Sequence, residues 1–88
     1  MDIKILVVDD EISMREFLAI LLEREGYLVD QADSAETALR FLDANCYELV
    51  ISDVKMPGLD GIGLLGKIKE INPDTAVLMM TAFSTAEQ

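Results

Sequence analysis

The feature that most constrains this chain is an alternation of two kinds of apolar segment. Short continuous runs, Ile3–Val8, Tyr27–Val29, Leu49–Ser52 and Ala76–Met80, are separated by longer stretches in which apolar residues recur every three or four positions. The runs are rich in β-branched residues and lack the in-out alternation of a half-solvated strand, which suits strands buried on both faces of a parallel sheet. The periodic stretches suit amphipathic helices packed on that sheet. Repeated strand-helix units of this kind predict an α/β fold with an open parallel sheet.

Three helices follow from the periodic stretches. Met14, Phe17, Leu18, Leu21 and Leu22 make one stripe, with Ser13 and Glu16 in capping-box spacing before it and Gly26 after it. Ala35, Ala38, Leu39 and Leu42 make a second, behind Ser34 as N-cap. Leu64, Leu65, Ile68 and Ile71 make a third, which stops where Asn72-Pro73 forbids continuation. Ser84-Thr85-Ala86-Glu87 announces a further helix, of which only the start falls within the chain.

Eighty-eight residues leave room for one domain, residues 1–88, and no second core. A chain of this size buries only roughly 60–65% of the surface its unfolded form exposes, so stability is expected to be modest. Seventeen acidic residues against seven basic give a net charge of −10, which argues against direct binding to nucleic acid or to an anionic membrane. The single cysteine, Cys46, permits no internal disulfide and is expected to be a buried, inert thiol in a reducing compartment. Neither a signal peptide nor a membrane span is legible, and a cytoplasmic location is expected.

In such a sheet every loop that follows a strand lies at one edge, where α/β proteins bind ligands. Three of these loops carry unusual residues: Asp9-Asp10-Glu11 after the first strand, Ser52-Asp53 at the end of the third, and Thr81-Ala82 after the fourth. The run Leu49-Val50-Ile51-Ser52 drives Asp53 to the end of a strand buried on both sides. Three converging carboxylates repel one another unless a cation sits among them. Oxygen ligands with room for water suit Mg²⁺, which also bridges to phosphate oxygens. Asp53 is then placed as a nucleophile towards a phosphoryl group, and the Thr81 hydroxyl as a donor to it.

The acidic pair after the first strand, the aspartate closing the third, Met56-Pro57-Gly58 and Asp60-Gly61 behind it, and Thr81-Ala82 after the fourth together resemble the receiver domain of bacterial two-component response regulators. The stretch Asp53–Asp60 with Thr81-Ala82-Phe83 is most similar to receivers of sigma-54-dependent enhancer-binding activators. The resemblance implies a flavodoxin-like open parallel sheet of strand order 2-1-3-4 within this length. It implies Asp53 as phosphoacceptor, Mg²⁺ held by Asp9, Asp10, Asp53 and the backbone carbonyl of Lys55, Thr81 as switch hydroxyl, and a sensor histidine kinase as partner. It also implies a phosphoacceptor switch rather than an enzyme. Receivers carry a fifth strand with a lysine that contacts the phosphoryl group, followed by an aromatic switch residue and a last helix. Lys55, Lys67 and Lys69 all fall too early for that lysine, so a C-terminally truncated receiver with impaired self-phosphorylation is expected.

Two other chemistries fit less well. A Mg²⁺-dependent phosphohydrolase of the haloacid-dehalogenase type needs a second aspartate two residues after the first, where Lys55 stands. A flavin-binding flavodoxin-like protein needs hydroxyls and amides in its first loop, where Asp9, Asp10 and Glu11 would repel a phosphate. The remaining alternative is a receiver fragment that acts as a self-associating structural module. With order 2-1-3-4, one sheet face carries a single helix about 10 Å wide against roughly 15–19 Å of sheet. Val50, Val77 and Met79, or their alternates on the other face, would be left bare beside an open fourth-strand edge, and a homo-oligomer is expected.

Overall fold

Ile5–Val8 are buried without interruption, as a strand sandwiched between helices must be. They belong to β1 (Lys4–Val8), which lies between β2 (Leu28–Ala32) and β3 (Leu49–Asp53), with β4 (Ala76–Met80) beyond β3. The computed structural model describes residues 2–55, 58 and 60–80. All three pairings are parallel, and the sheet order is β2-β1-β3-β4. Helices α1 (Ile12–Arg24), α2 (Ala35–Ala44) and α3 (Gly61–Ile71) make the crossovers. This is the expected flavodoxin-like α/β architecture. The expected start of a fourth helix at Ser84–Glu87 lies outside the described residues.

Successive strand residues face opposite sides, and the core divides accordingly. On one side Leu6, Val8 and Val50 pack with Ala35, Ala38 and Leu42 of α2 and with Leu64 and Ile68 of α3. On the other side Ile5, Val7 and Ile51 pack with Leu18 and Leu22 of α1, the one helix on that side among the described residues. α1 sits against β1 and β2, so β4 is poorly covered on that face although Ile51 of β3 is buried. Val50 is fully buried and Val77 packs on the two-helix side, whereas Leu78, in register with Ile51, is 53% exposed. The bare residues are thus the alternates Leu78 and Ala76 rather than Val50, Val77 and Met79.

Several expected boundaries move. α1 begins at Ile12 with Glu11 as N-cap and no side-chain cap, so Ser13 and Glu16 form no capping box. The cause lies one residue upstream: Asp9 Oδ1 accepts from the Glu11 N–H at 2.9 Å, which turns the chain early, and the Glu11 carbonyl takes the first helical bond from Arg15. Its apolar stripe is displaced too, since Met14, Phe17 and Leu21 are exposed while Leu18, Ala19 and Leu22 face the sheet. At the other end Gly26, at φ +96°, donates to Glu23 and the Tyr27 N–H to Leu22, a Schellman closure that needs a residue tolerant of the left-handed region. β2 runs on through Asp30 and Gln31, because an outer strand accommodates polar side chains and Asp30 is held by the Tyr47 hydroxyl at 2.5 Å. Cys46 is exposed rather than buried, in the turn that leads from α2 to β3.

α2 and α3 start where side chains satisfy orphan amides. Ser34 Oγ accepts from Thr37 N–H at 3.1 Å, and Asp60 Oδ1 accepts from Gly63 N–H at 2.9 Å. The α3 stripe holds at Leu64 and Ile68, whereas its last member, Ile71, is exposed.

Candidate phosphoryl and metal site

The C-terminal ends of β1 and β3 lie side by side, because Val8 is in register with Ser52. The residues that follow, Asp9 and Asp53, therefore emerge together, and Asp10 comes with them. One carboxylate oxygen from each of the three lies within 4.8 Å of the others. Asp9 is buried, Asp53 half-buried and Asp10 exposed, which makes a crevice open on one side to water.

The structure thus brings Asp9, Asp10 and Asp53 together as the sequence predicts. Lys55 is close by: its N–H donates 3.2 Å to Asp53 Oδ1, so the chain doubles back over the carboxylate within two residues. Thr81, together with Met56, Pro57, Leu59, Ala82 and Phe83, lies outside the described residues.

Electrostatics are frustrated at the centre of the cluster. Burial pushes the Asp9 carboxyl above its ordinary value, and the neighbouring charges of Asp53, Asp10 and Glu11 push it further, against a hydrogen bond from Glu11 that favours the ionised form. A cation relieves that strain directly. The donor set fits Mg²⁺: six oxygens at 2.0–2.1 Å stand about 3.0 to 4.2 Å apart, so three carboxylate oxygens within 4.8 Å need only small side-chain rotations to become ligands.

Two residues, Gly61 and Arg15, meet the backbone of this cluster. Gly61, the first residue of α3, donates its N–H to the Val54 carbonyl at 3.0 Å. A methyl group there would run into the Asp53 carbonyl oxygen and stand 2.9 Å from Val54 Cα, so α3 approaches the end of β3 only because position 61 has no side chain. Arg15 Nη1 donates 2.9 Å to the carbonyl of Asp9. The available signal was its place on α1, three residues before Leu18 and four before Ala19, where an apolar residue would be expected.

The family model described as the response regulator receiver domain matches residues 5–88. The chain belongs to that family. The transcriptional regulatory protein ZraR of Escherichia coli K12 is 45% identical over 86 residues, which are 98% of this chain and 20% of ZraR. The response regulator receiver protein CpdR of Brucella abortus is 36% identical over 81 residues, 92% of this chain and 68% of CpdR. The chain therefore spans about a fifth of the length of some curated relatives and most of another. Among solved structures, the response regulator TrrA of Thermotoga maritima, in complex with Mg²⁺ and BeF, superposes with a TM-score of 0.88 at 42% identity. The alignment covers 96% of this receiver chain and 72% of TrrA. Chemotaxis protein CheY4 of Vibrio cholerae gives 0.90 at 30% identity over 97% of this chain and 72% of that one. Receiver domains are signalling switches, and no helix among the described residues is long and apolar enough to cross a membrane.

Proposed function

We propose that this chain is a phosphoacceptor of two-component signalling, phosphorylated on Asp53 in a Mg²⁺-dependent reaction with a sensor histidine kinase as donor. The observation that carries this is the convergence of Asp9, Asp10 and Asp53 at the sheet's C-terminal edge in a chain of the receiver family. A carboxylate oxygen of Asp53 attacks the phosphorus, and the phosphorus–nitrogen bond of the donor phosphohistidine breaks, leaving an acyl phosphate on the aspartate. Asp9, Asp10, Asp53 and the Lys55 carbonyl are the ligands for Mg²⁺, which neutralises charge on the transferred oxygens when bound. Thr81 donates its hydroxyl to a phosphoryl oxygen. On this reading the protein is cytoplasmic and does not itself touch nucleic acid, in keeping with its net charge of −10.

Mass spectrometry after incubation with acetyl phosphate and Mg²⁺ tests the assignment. Phosphate on Asp53, lost in Asp53→Asn and without Mg²⁺, is the expected result; modification retained in Asp53→Asn sinks it. Beryllofluoride with Mg²⁺ should perturb the amide resonances near Asp53.

A second reading is favoured by exposed apolar surface. Leu78 on β4, with Met14, Phe17, Ile20 and Leu21 on α1, leaves the single-helix side poorly covered. On this reading the 88-residue chain associates with itself and acts as a structural module without a working switch. A beryllofluoride titration that leaves the spectrum unchanged in a folded oligomer would favour it over the first.

A further inference from the structure

Position 15 is out of keeping with the helix face it belongs to. Leu18, Ala19 and Leu22 turn that side of α1 onto the sheet, and one turn earlier the same side presents the half-buried Arg15. Its guanidinium reaches the C-terminal edge of the sheet, where Nη1 donates 2.9 Å to the Asp9 carbonyl and Nε donates 3.2 Å to Gln31 Oε1 on β2. Asp9 is thereby tied at three points. Its N–H donates to Ala32 at 3.1 Å, its carbonyl accepts from Arg15, and its Oδ1 accepts from Glu11. That carbonyl belongs to the planar peptide joining Asp9 to Asp10. Holding its oxygen sets the plane, and with it the direction in which the chain leaves for Asp10.

We infer that Arg15 is a positioning residue for the cation site, clamping the Asp9–Asp10 peptide to β2 so that both carboxylates stand ready beside Asp53 before an ion arrives. The inference rests on the reading of that trio as a Mg²⁺ site. Arg15 engages the backbone rather than the carboxylates, so it orders the loop without competing with a metal for its ligand oxygens. The clamp and the charge have opposite consequences. A fixed positive charge near the site disfavours a second cation, so removing charge alone would tighten Mg²⁺ binding, whereas removing the clamp loosens it.

Calorimetric Mg²⁺ titration of the full chain, Arg15→Met, Arg15→Lys and Asp53→Asn, below the metal-free melting temperature of each, separates these. Outer groups that orient metal ligands are commonly worth 10–100-fold in affinity. Arg15→Met is expected to bind about tenfold more weakly, at the low end because the clamp acts through a backbone carbonyl. Arg15→Lys should fall between, since one ammonium keeps the charge but cannot span both acceptors. The amide resonances of Asp10 and Glu11 should shift in metal-free Arg15→Met. Equal or tighter binding by Arg15→Met, or identical losses in Arg15→Met and Arg15→Lys, overturns the clamp. If Arg15→Met does not fold, Gln31→Ala releases the β2 end of the clamp and should weaken binding by a few-fold; unchanged affinity there overturns it as well. A wild type that binds no Mg²⁺ removes the site reading and this inference together. Binding lost in Asp53→Asn but intact in Arg15→Met removes the inference alone.

Discussion

Asp9 is the residue at which folding and function pull apart. Its carboxyl is raised above the ordinary value chiefly by burial, with the charges of Asp53, Asp10 and Glu11 adding to the effect. In the unfolded chain it ionises at that ordinary value, so the folded state holds its proton more tightly. The stabilisation this brings is complete below the ordinary carboxylate value and is lost as pH rises through the raised one. At neutral pH, without metal, the ionised Asp9 therefore costs stability. Asp9→Asn keeps an oxygen to accept from Glu11 and removes the charge. It should melt at a higher temperature than wild type at neutral pH in a chelator, with the gap closing towards about pH 4 as wild-type Asp9 takes up its proton. A gap that widens on acidification would contradict the assignment. Added Mg²⁺ should raise the wild-type melting temperature and leave that of Asp9→Asn nearly unchanged. The acidic trio was legible from the sequence because strand-ending carboxylates announce themselves. Arg15 was not, because its role depends on a carbonyl six residues back and a glutamine sixteen residues on, which only the packed sheet brings together.

At the scale of elements, helix starts show where local signals sufficed and where they competed. Ser34 caps α2 as its spacing predicts, while Ser13 lies inside the first turn of α1 after the Asp9–Glu11 bond has turned the chain. Ser34→Ala should cost about 1 kcal/mol, and Ser13→Ala should stay within about 0.5 kcal/mol. Chemical denaturation of both variants distinguishes the two caps, and equal losses would mean that α1 starts where the sequence pattern placed it. The open parallel sheet was legible from the buried apolar runs and the helical stretches between them, whereas its order 2-1-3-4 was implied only by the resemblance to receivers. The extension of β2 through Asp30 and Gln31 was not legible, since Asp30 is held by Tyr47, seventeen positions away. Gly61 joins element to site. A side chain there forces α3 away from the end of β3, so Gly61→Ala should destabilise by about 2 kcal/mol. Because the obstacle is the Asp53 backbone, the same variant should weaken Mg²⁺ binding, measured by titration at a temperature where it remains folded. Unaltered stability and affinity would show that the close approach relaxes at no cost.

Over the whole molecule, coverage of the sheet is lopsided. Among the described residues α2 and α3 together shield one side, while α1 alone lies over β1 and β2 on the other. A helix about 10 Å wide cannot cover four strands spaced about 4.8 Å apart, and the shortfall shows at Leu78, 53% exposed, and at Ala76. The exposed side of α1 adds Phe17 at 57% and Leu21 at 41%. Apolar surface left in water forfeits about 25 cal/mol per Å², so a patch of a few hundred Å² is comparable with the stability of a domain this small. Among the described residues β4 also has β3 as its only neighbour in the sheet, which leaves backbone groups along its outer edge able to pair with another strand. A second copy satisfies both demands in one contact, and the 88-residue chain is expected to associate reversibly at high concentration. Leu78→Lys places a charge in the middle of the bare strip, where its long stem can reach water, so the monomer should tolerate it while the paired form should not. Light scattering coupled to size exclusion across a wide concentration range is expected to show mass rising with concentration for wild type and staying near the monomer for Leu78→Lys. A folded wild type that keeps monomer mass throughout would mean that α1 and the strand edge tolerate water at less cost than this geometry implies.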